Sequence, residues 1–409
     1  MFTEERRRLI LEFLNQHDRA TVNELAEMFN VSAKTIRNDF NFFSKNNVVS
    51  RCYGGAILIR RKMQDQLIKR YGSEINSIFK TNIEPKPNQT KSTVMNGYVC
   101  VMGAFHVDIV AKVQRFPQKG ETLKALDSFL GPGGKGANQA LAASKAGAQV
   151  HFVAKVGKDH FSDVAFEHLA NSGIHSFTLY QSDSDPTGNA LIYVSQNDGE
   201  NMIAICPGAN QTFTDEEVQA IEPQLAQAAV LVVQLENNIS ATLSLLKLAK
   251  QRGVFTILNP APYSSDVELC LPYVDLITPN ETEASEIAGM AITDKASAIA
   301  ASERILAKGV SQVVITLGAN GVVSNDHGKA HYWPAFKAVS VDTTGAGDSF
   351  TGALAAALSA GQKLPQAVKF AAAFASLAVE LEGASAMPDK EQVLSRMHSQ
   401  NPTISAAFA

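Results

Sequence analysis

The spacing of apolar positions divides this chain into three stretches. In the first, residues 1–58, Leu9, Ile10, Phe13 and Leu14 recur at helical spacing. Thr21 and Glu24 form a capping-box pattern that opens a second short helix bearing Leu25, Met28 and Phe29. Asn30-Val31 predicts a tight turn, and Ser32 is placed to cap a third helix, 33–45, with Ile36, Phe40 and Phe43 on its inner face. Residues 48–58 then predict two short strands around a Gly-Gly turn.

The second stretch, 59–96, starts polar and basic and becomes rich in Asn, Lys, Thr and Pro. The run 84–92 has almost nothing to bury, so the stretch is expected to be a linker, with 60–80 prolonging a helix before it.

From Tyr98 the pattern changes again. Residues 99–103 predict a buried strand, and apolar runs follow at 150–153, 230–233, 255–258, 276–278 and 313–316. Helical patterns such as 240–252 and 295–308 lie between them. This alternation predicts a mostly parallel sheet covered by helices, an α/β/α sandwich. The polar alternation near 105–128 and 187–205 predicts a small antiparallel flap.

Composition adds limits. A chain of 409 residues is expected to hold two or three domains, and 45% hydrophobic against 19% charged residues suits a globular core. No stretch approaches the ~20 apolar residues that span a bilayer. The N-terminal residues show no secretory pattern, and the four cysteines form no C-x-x-C pair. A soluble cytoplasmic protein without a disulfide framework or zinc site is therefore expected. The charge is uneven. Residues 1–70 hold 13 Lys and Arg against 8 Asp and Glu, while the remainder holds 23 against 32. A basic head on an acidic body suits a polyanionic partner for the head.

Three motifs carry chemistry. In 341–350, the small residues Gly345, Ala346 and Gly347 let a backbone approach a phosphate at a helix N-terminus, with Asp348 in the first turn able to take a proton. Taken alone, a Gly-rich turn with a helix-terminal acid is the better explanation, because short glycine patterns match by chance. In 131–140, the glycines permit close backbone approach, while Lys135 and Asn138 suit a polyhydroxylated ligand. It is not a Walker A loop, because Gly136 follows Lys135. In 278–283, Asn280 and Glu283 share a helix start at a strand end, suited to phosphate and Mg²⁺ but also to ordinary capping.

Together and in this order these segments resemble the ribokinase-like sugar kinases. The resemblance covers 98–388 and runs through 103–108, 133–138, 234–236, 259–262, Asn280 and Glu283, 316–321 and 342–348. It implies that Asp348 is the catalytic base, with the N–H groups of Gly345, Ala346 and Gly347 as the anion hole. His106, Asp108, Gly134, Lys135, Asn138 and Glu236 would hold the sugar, together with Asp348. Asn280, Thr316, Gly318, Gly321 and Gly347 would line the ATP site, and Glu283 would act on Mg²⁺. A K⁺ site would use Asp342 and Thr344 with backbone at Ala378, Leu381 and Gly383. His106 stands where these kinases usually have Asn, so the acceptor is expected to be ribose or a close pentose such as deoxyribose.

Residues 3–58 resemble the winged helix-turn-helix of DeoR-type regulators, through 5–7, 22–32, 35–39 and 51–56. The resemblance implies that helix 33–45 enters the DNA major groove by its first turns. There Ala33, Lys34, Thr35, Arg37 and Asn38 face outward, with Arg51 gripping phosphate. The expected organisation is a winged helix-turn-helix over 1–58, a linker over 59–96 and a kinase over 97–398. The expected function is ATP-dependent phosphorylation of ribose or a close pentose at O5, joined to operator binding, in a homodimer. The alternative is a sugar-sensing repressor that uses the kinase fold as an effector-binding domain.

Overall fold

The computed structural model describes residues 3–17, 19–45, 49–52, 55–58, 97–197 and 200–400. The expected linker over 59–96, and the helix expected across 60–80, lie outside the described residues.

The head has helices Thr3–His17, Val22–Phe29 and Ala33–Lys45. The capping box forms: Glu24 N–H donates to Thr21 Oγ1 at 3.2 Å and Thr21 N–H to Glu24 Oε2 at 3.3 Å. Asn30 ends the second helix in the left-handed region, and Thr35 N–H donates to Ser32 Oγ at 3.1 Å to start the third. Ile10, Leu14, Leu25, Ile36, Phe40 and Phe43 close the core, all at most 1% exposed, and each burial contributes roughly 2 kcal/mol. Met28 is exposed, so the second helix packs on a narrower face than its pattern predicts.

Strands Val49–Cys52 and Gly55–Leu58 pair antiparallel, as the pattern predicts. A third strand, Arg19–Thr21, joins on the other side of Gly55–Leu58. Three residues are too few to show alternation, so this strand was invisible in the sequence. Arg19 Nη1 also donates to the carbonyls of Leu169 and Ala170, at 3.1 and 2.7 Å, in the kinase helix His160–Asn171.

Beyond Gly97 a nine-stranded sheet forms the body. From one edge its strands are Lys329–Trp333, Val322–Asp326, Gln312–Thr316, Leu276–Ile277, Phe255–Leu258, Val230–Val233, Tyr98–Met102, Gln149–Gly157 and Ser176–Ser182. The two pairings at the first edge are antiparallel and the rest parallel. Helices cover both faces, so the central strands are buried on both sides and read as unbroken apolar runs. Val99 and Val101 enter one core, while Tyr98, Cys100 and Met102 enter the other.

A separate four-stranded sheet contains Asn201–Cys206, Asn189–Ser195, His106–Val113 and Asp127–Gly133, in that order. The expected flap exists, but it is not wholly antiparallel: His106–Val113 and Asn189–Ser195 run parallel. Each belongs to its own antiparallel hairpin, and the hairpins join along strands that run the same way. Among the described residues no helix is long and apolar enough to cross a membrane.

Candidate active site

Two helix starts build the site. The helix Ala346–Ser359 begins at Gly345, whose φ of 76° is left-handed, and it carries Asp348 in its first turn. A Cβ at Gly345 would lie 2.6 Å from the carbonyl oxygen of Ala384, so a larger residue is excluded twice over. The first intrahelical bond is Ser349 N–H to Gly345 O at 2.8 Å, which leaves the earlier N–H groups of the turn for a ligand. The N–H of Ala346 is partly engaged, however, because it donates to Thr343 O at 3.2 Å. The anion hole expected from three equivalent N–H groups is thus open at Gly345 and Gly347, with that of Ala346 shared with the turn.

The helix Lys135–Lys145 packs against this one. Gly352 allows the approach: a Cβ there would sit 2.4 Å from the carbonyl oxygen of Gln139. This contact brings Asn138 and Gln139 onto Asp348. Asn138 Nδ2 donates to Asp348 Oδ2 at 3.2 Å, and Gln139 Nε2 donates to Asp348 Oδ1 at 2.9 Å. Asp348 is buried at the floor of a cavity of about 150 Å³, whose lining includes Lys135, Asn280, Glu283, Thr316 and the 345–347 turn.

The expected sugar-holding residues gather beside it. Lys135 N–H donates to Glu236 Oε2 at 2.8 Å. His106 Nδ1 lies 4.0 Å from Glu236 Oε1, and His106 Nε2 is buried without a hydrogen-bond partner. Such an atom is suited to a ligand hydroxyl. A Cβ at Gly133 would fall 2.3 Å from the Asp108 carboxylate oxygens, so a larger residue there would displace that carboxylate. Gly134, with φ of 97°, starts the helix that carries Lys135.

Burial dominates the electrostatics. It pushes Glu236 up to about 7, against the pull of Lys135. It pushes Asp108 up to about 6, helped by the charge of Asp348. Burial, with the charge of Lys135, takes His106 down to about 4, so its ring is neutral near pH 7. Lys135 is held above the ordinary lysine range, chiefly by Asp348. Glu283 is raised by burial, partly offset by the N–H of Asn280. Several carboxylates around one lysine make a pocket that favours hydroxyl donors and one cation.

At the far side, Asn280 caps the helix Glu281–Ala288 in a full capping box with Glu283, and its backbone bridges Thr316. Asn280 and Thr316 line the cavity, whereas Gly318 and Gly321 lie in the turn beyond strand Gln312–Thr316 and are not in that lining. Behind the anion turn, Thr344 N–H donates to Asp342 Oδ1 at 2.8 Å and Gly383 N–H to Asp342 Oδ2 at 3.0 Å. Asp342, Thr344 and Gly383 therefore meet. The carbonyl of Ala378 already accepts from Leu381 N–H at 3.0 Å, so Ala378 and Leu381 bond first to each other.

In the head, Lys34, Arg37 and Asn38 are exposed, while Ala33 and Thr35 are half-buried. The Thr35 hydroxyl is tied to Ser32 Oγ at 2.8 Å. Arg51 sits on strand Val49–Cys52, and its side chain lies outside the described residues. Arg6 and Arg7 share one acidic partner. Their Nε atoms lie 2.6 and 2.9 Å from the buried carboxylate of Asp39.

Comparison with known proteins bears on this geometry. Residues 96–391 match the family model described as pfkB family carbohydrate kinase. The chain belongs to that family. Residues 6–62 match the DeoR-like helix-turn-helix domain, so this kinase carries a DeoR-type head. The kinase is 36% identical over 301 residues to ribokinase of Haemophilus influenzae, covering 73% of this chain and 98% of the relative. It is 32% identical over 296 residues to deoxyribokinase of Salmonella typhimurium, covering 72% and 96%. The structure of Arabidopsis thaliana ribokinase complexed with ribose and ATP superposes with a TM-score of 0.67 at 32% identity, covering 74% and 99%. The protein is an ATP-dependent carbohydrate kinase of the ribokinase type.

Sequence reasoning gave no role to Gln139, Asn259, Thr278, Gly352 or Asn210. Asn210 brackets the loop before His106, accepting from Phe105 N–H at 3.2 Å and donating to Phe105 O at 2.9 Å. Uncharged amides give little signal in a sequence, because a buried amide and a surface amide look alike until their partners are known.

Proposed function

We propose that this kinase transfers the γ-phosphoryl of ATP to O5 of D-ribose or a close pentose such as 2-deoxyribose, while its head binds operator DNA. The observation that carries the reading is Asp348, buried beside the free N–H groups of a helix start and flanked by Lys135. The relatives named ribokinase and deoxyribokinase support a pentose. The working units proposed are a DNA-binding head over 1–58, a connection over 59–96 and a kinase over 97–398.

The chemistry follows from the layout. Asp108, Glu236, Asn138 and the neutral His106 hold the sugar hydroxyls, with Gly134 giving their loop its turn. Asp348 takes the proton of the attacking hydroxyl, and the N–H groups of the 345–347 turn stabilise the transferring phosphoryl. Asn280, Thr316, Gly318 and Gly321 hold the nucleotide.

Among the described residues no three His, Cys, Asp or Glu are grouped to hold a metal. Glu283 would act on Mg²⁺ carried with the nucleotide phosphates, the ion neutralising phosphate charge. The oxygen-rich corner of Asp342, Thr344, Ala378, Leu381 and Gly383 suits a hard monovalent cation. K⁺ there would steady the anion turn.

Lys34, Arg37 and Asn38, together with Ala33, Thr35 and Arg51, would meet DNA. The exposed apolar residues of the flap support a homodimer: Leu130, Leu191 and Met202 lie on one face of its sheet, and Phe129, Ile203 and Ile205 on the other. The contact of Arg19 with helix His160–Asn171 supports coupling between head and kinase, since His168 of that helix lies against Phe105, next to His106.

The test is ATP-dependent phosphorylation of a panel of pentoses and nucleosides, with and without K⁺. Turnover of ribose or deoxyribose is expected, and no turnover with any pentose would refute the reading.

A further inference from the structure

We infer that Gln139 is the positioning residue of the base: it pins Asp348 Oδ1 and so leaves Oδ2 as the oxygen that receives the proton. This rests on the reading of Asp348 as the base.

The orientation of Gln139 follows from a fixed point. The backbone carbonyl of Thr278 can only accept, and Asn259 Nδ2 donates to it at 2.9 Å. Asn259 Oδ1 must therefore face the other way, where Gln139 Nε2 donates to it at 3.0 Å. The second hydrogen of the same nitrogen goes to Asp348 Oδ1 at 2.9 Å. Gln139 Oε1 then faces Gln234, whose Nε2 donates to it at 2.7 Å. Every donor and acceptor of the Gln139 side chain is used, and the residue is fully buried. A flipped amide would set its oxygen against two other oxygens, so the local bonding defines one rotamer.

The two oxygens of Asp348 differ accordingly. Oδ1 is held by a fully buried side chain whose other bonds, to Asn259 and Gln234, fix its orientation. Oδ2 is held by Asn138 through a longer bond of 3.2 Å. Asn138 belongs to the proposed sugar site, so an arriving hydroxyl can replace its N–H on Oδ2. In the transfer step the hydroxyl oxygen bonds to the γ-phosphorus as the phosphorus–oxygen bond to the β-phosphate breaks. The electron pair leaves on ADP, and the hydroxyl proton goes to Oδ2. Gln139 makes the same bond throughout, which keeps the receiving oxygen aligned.

The test compares Gln139→Met, Gln139→Glu and Asp348→Asn in the full chain, at saturating sugar. Met keeps the volume and removes both hydrogen-bonding ends. Its expected effect is a fall in kcat of roughly tenfold to a hundredfold, with KM for sugar within about threefold. In Gln139→Glu the introduced carboxyl can donate to Asp348 Oδ1 only while protonated. It faces Asp348, Gln234 and Asn259, with Lys135, Asp108, Glu236 and Glu283 around the same site. Its kcat should therefore survive at low pH and gain a descending limb as pH rises, which a purely structural role would not produce.

Asp348→Asn should be inactive. If it stays active, the base reading itself fails. If it is inactive while Gln139→Met keeps kcat within about twofold, the positioning role is refuted. Should Gln139→Met not fold, Gln139→Glu decides, and a kcat–pH profile parallel to the parent overturns the inference.

Discussion

Glu236→Gln separates the cost of a buried carboxylate from its use. Glu236 titrates near 7 rather than its ordinary 4.5, because burial penalises the charge more than Lys135 repays it. The folded state thus holds this proton more tightly than the unfolded state. The penalty is present at pH above 7 and disappears as pH falls below 4.5. The separation corresponds to a destabilisation on the order of 3 kcal/mol at pH 8. Replacement by Gln keeps an oxygen to accept from Lys135 N–H and removes the charge, so thermal stability should rise at pH 8 and stay unchanged near pH 4.

Sugar binding should move the other way. A sugar hydroxyl bonded to a carboxylate is stronger than one bonded to an amide, and losing about 1.5–3 kcal/mol raises KM roughly tenfold to a hundredfold. On the proposed reading, in which both carboxylates hold sugar hydroxyls as anions, the parent binds with Glu236, near 7, and Asp108, near 6, both ionised. Between pH 8 and pH 5 these two titrations should lower kcat/KM by roughly a thousandfold, as apparent values of a coupled pair. In the variant only the titration near 6 remains, and the same interval should cost about tenfold. The assay is kcat/KM for sugar across pH 5–8 beside thermal unfolding at both ends. A variant that is less stable at pH 8 and still shows a two-proton limb refutes the reasoning.

Two further outcomes test the framework of the molecule. Lys155 Nζ pairs with buried Glu217 at 2.9 Å and also donates to Thr212 O at 2.5 Å. Lys155→Met should lower unfolding stability by about 3–5 kcal/mol, with Lys155→Met/Glu217→Gln recovering part of the loss in denaturant titration. In the head, Asp39→Asn leaves Arg6 buried without its carboxylate. It should weaken the head by about 3 kcal/mol and reduce binding to duplex DNA, while the kinase still phosphorylates sugar.

Much of this protein was determined by its sequence. The strands at Val230–Val233 and Phe255–Leu258 fall where the apolar runs predict, because a strand buried on both faces must be apolar throughout. The Asn280 and Thr21 capping boxes form as expected, since capping is decided within four residues. Asp348 and its glycine turn were legible only through their place after the other matching segments, because a short glycine pattern at a helix start is weak by itself.

Tertiary structure decided what depends on distant partners. The parallel join in the flap pairs strands more than seventy residues apart, and no local pattern encodes which strands meet. The raised carboxyls of Asp108 and Glu236 come first from burial and then from the charge of Asp348, a property of the assembled pocket. Gln139 is one amide in a helix by sequence. It becomes the anchor of Asp348 only when Gly352 lets two helices close and Asn259 and Gln234 arrive from separate strand ends.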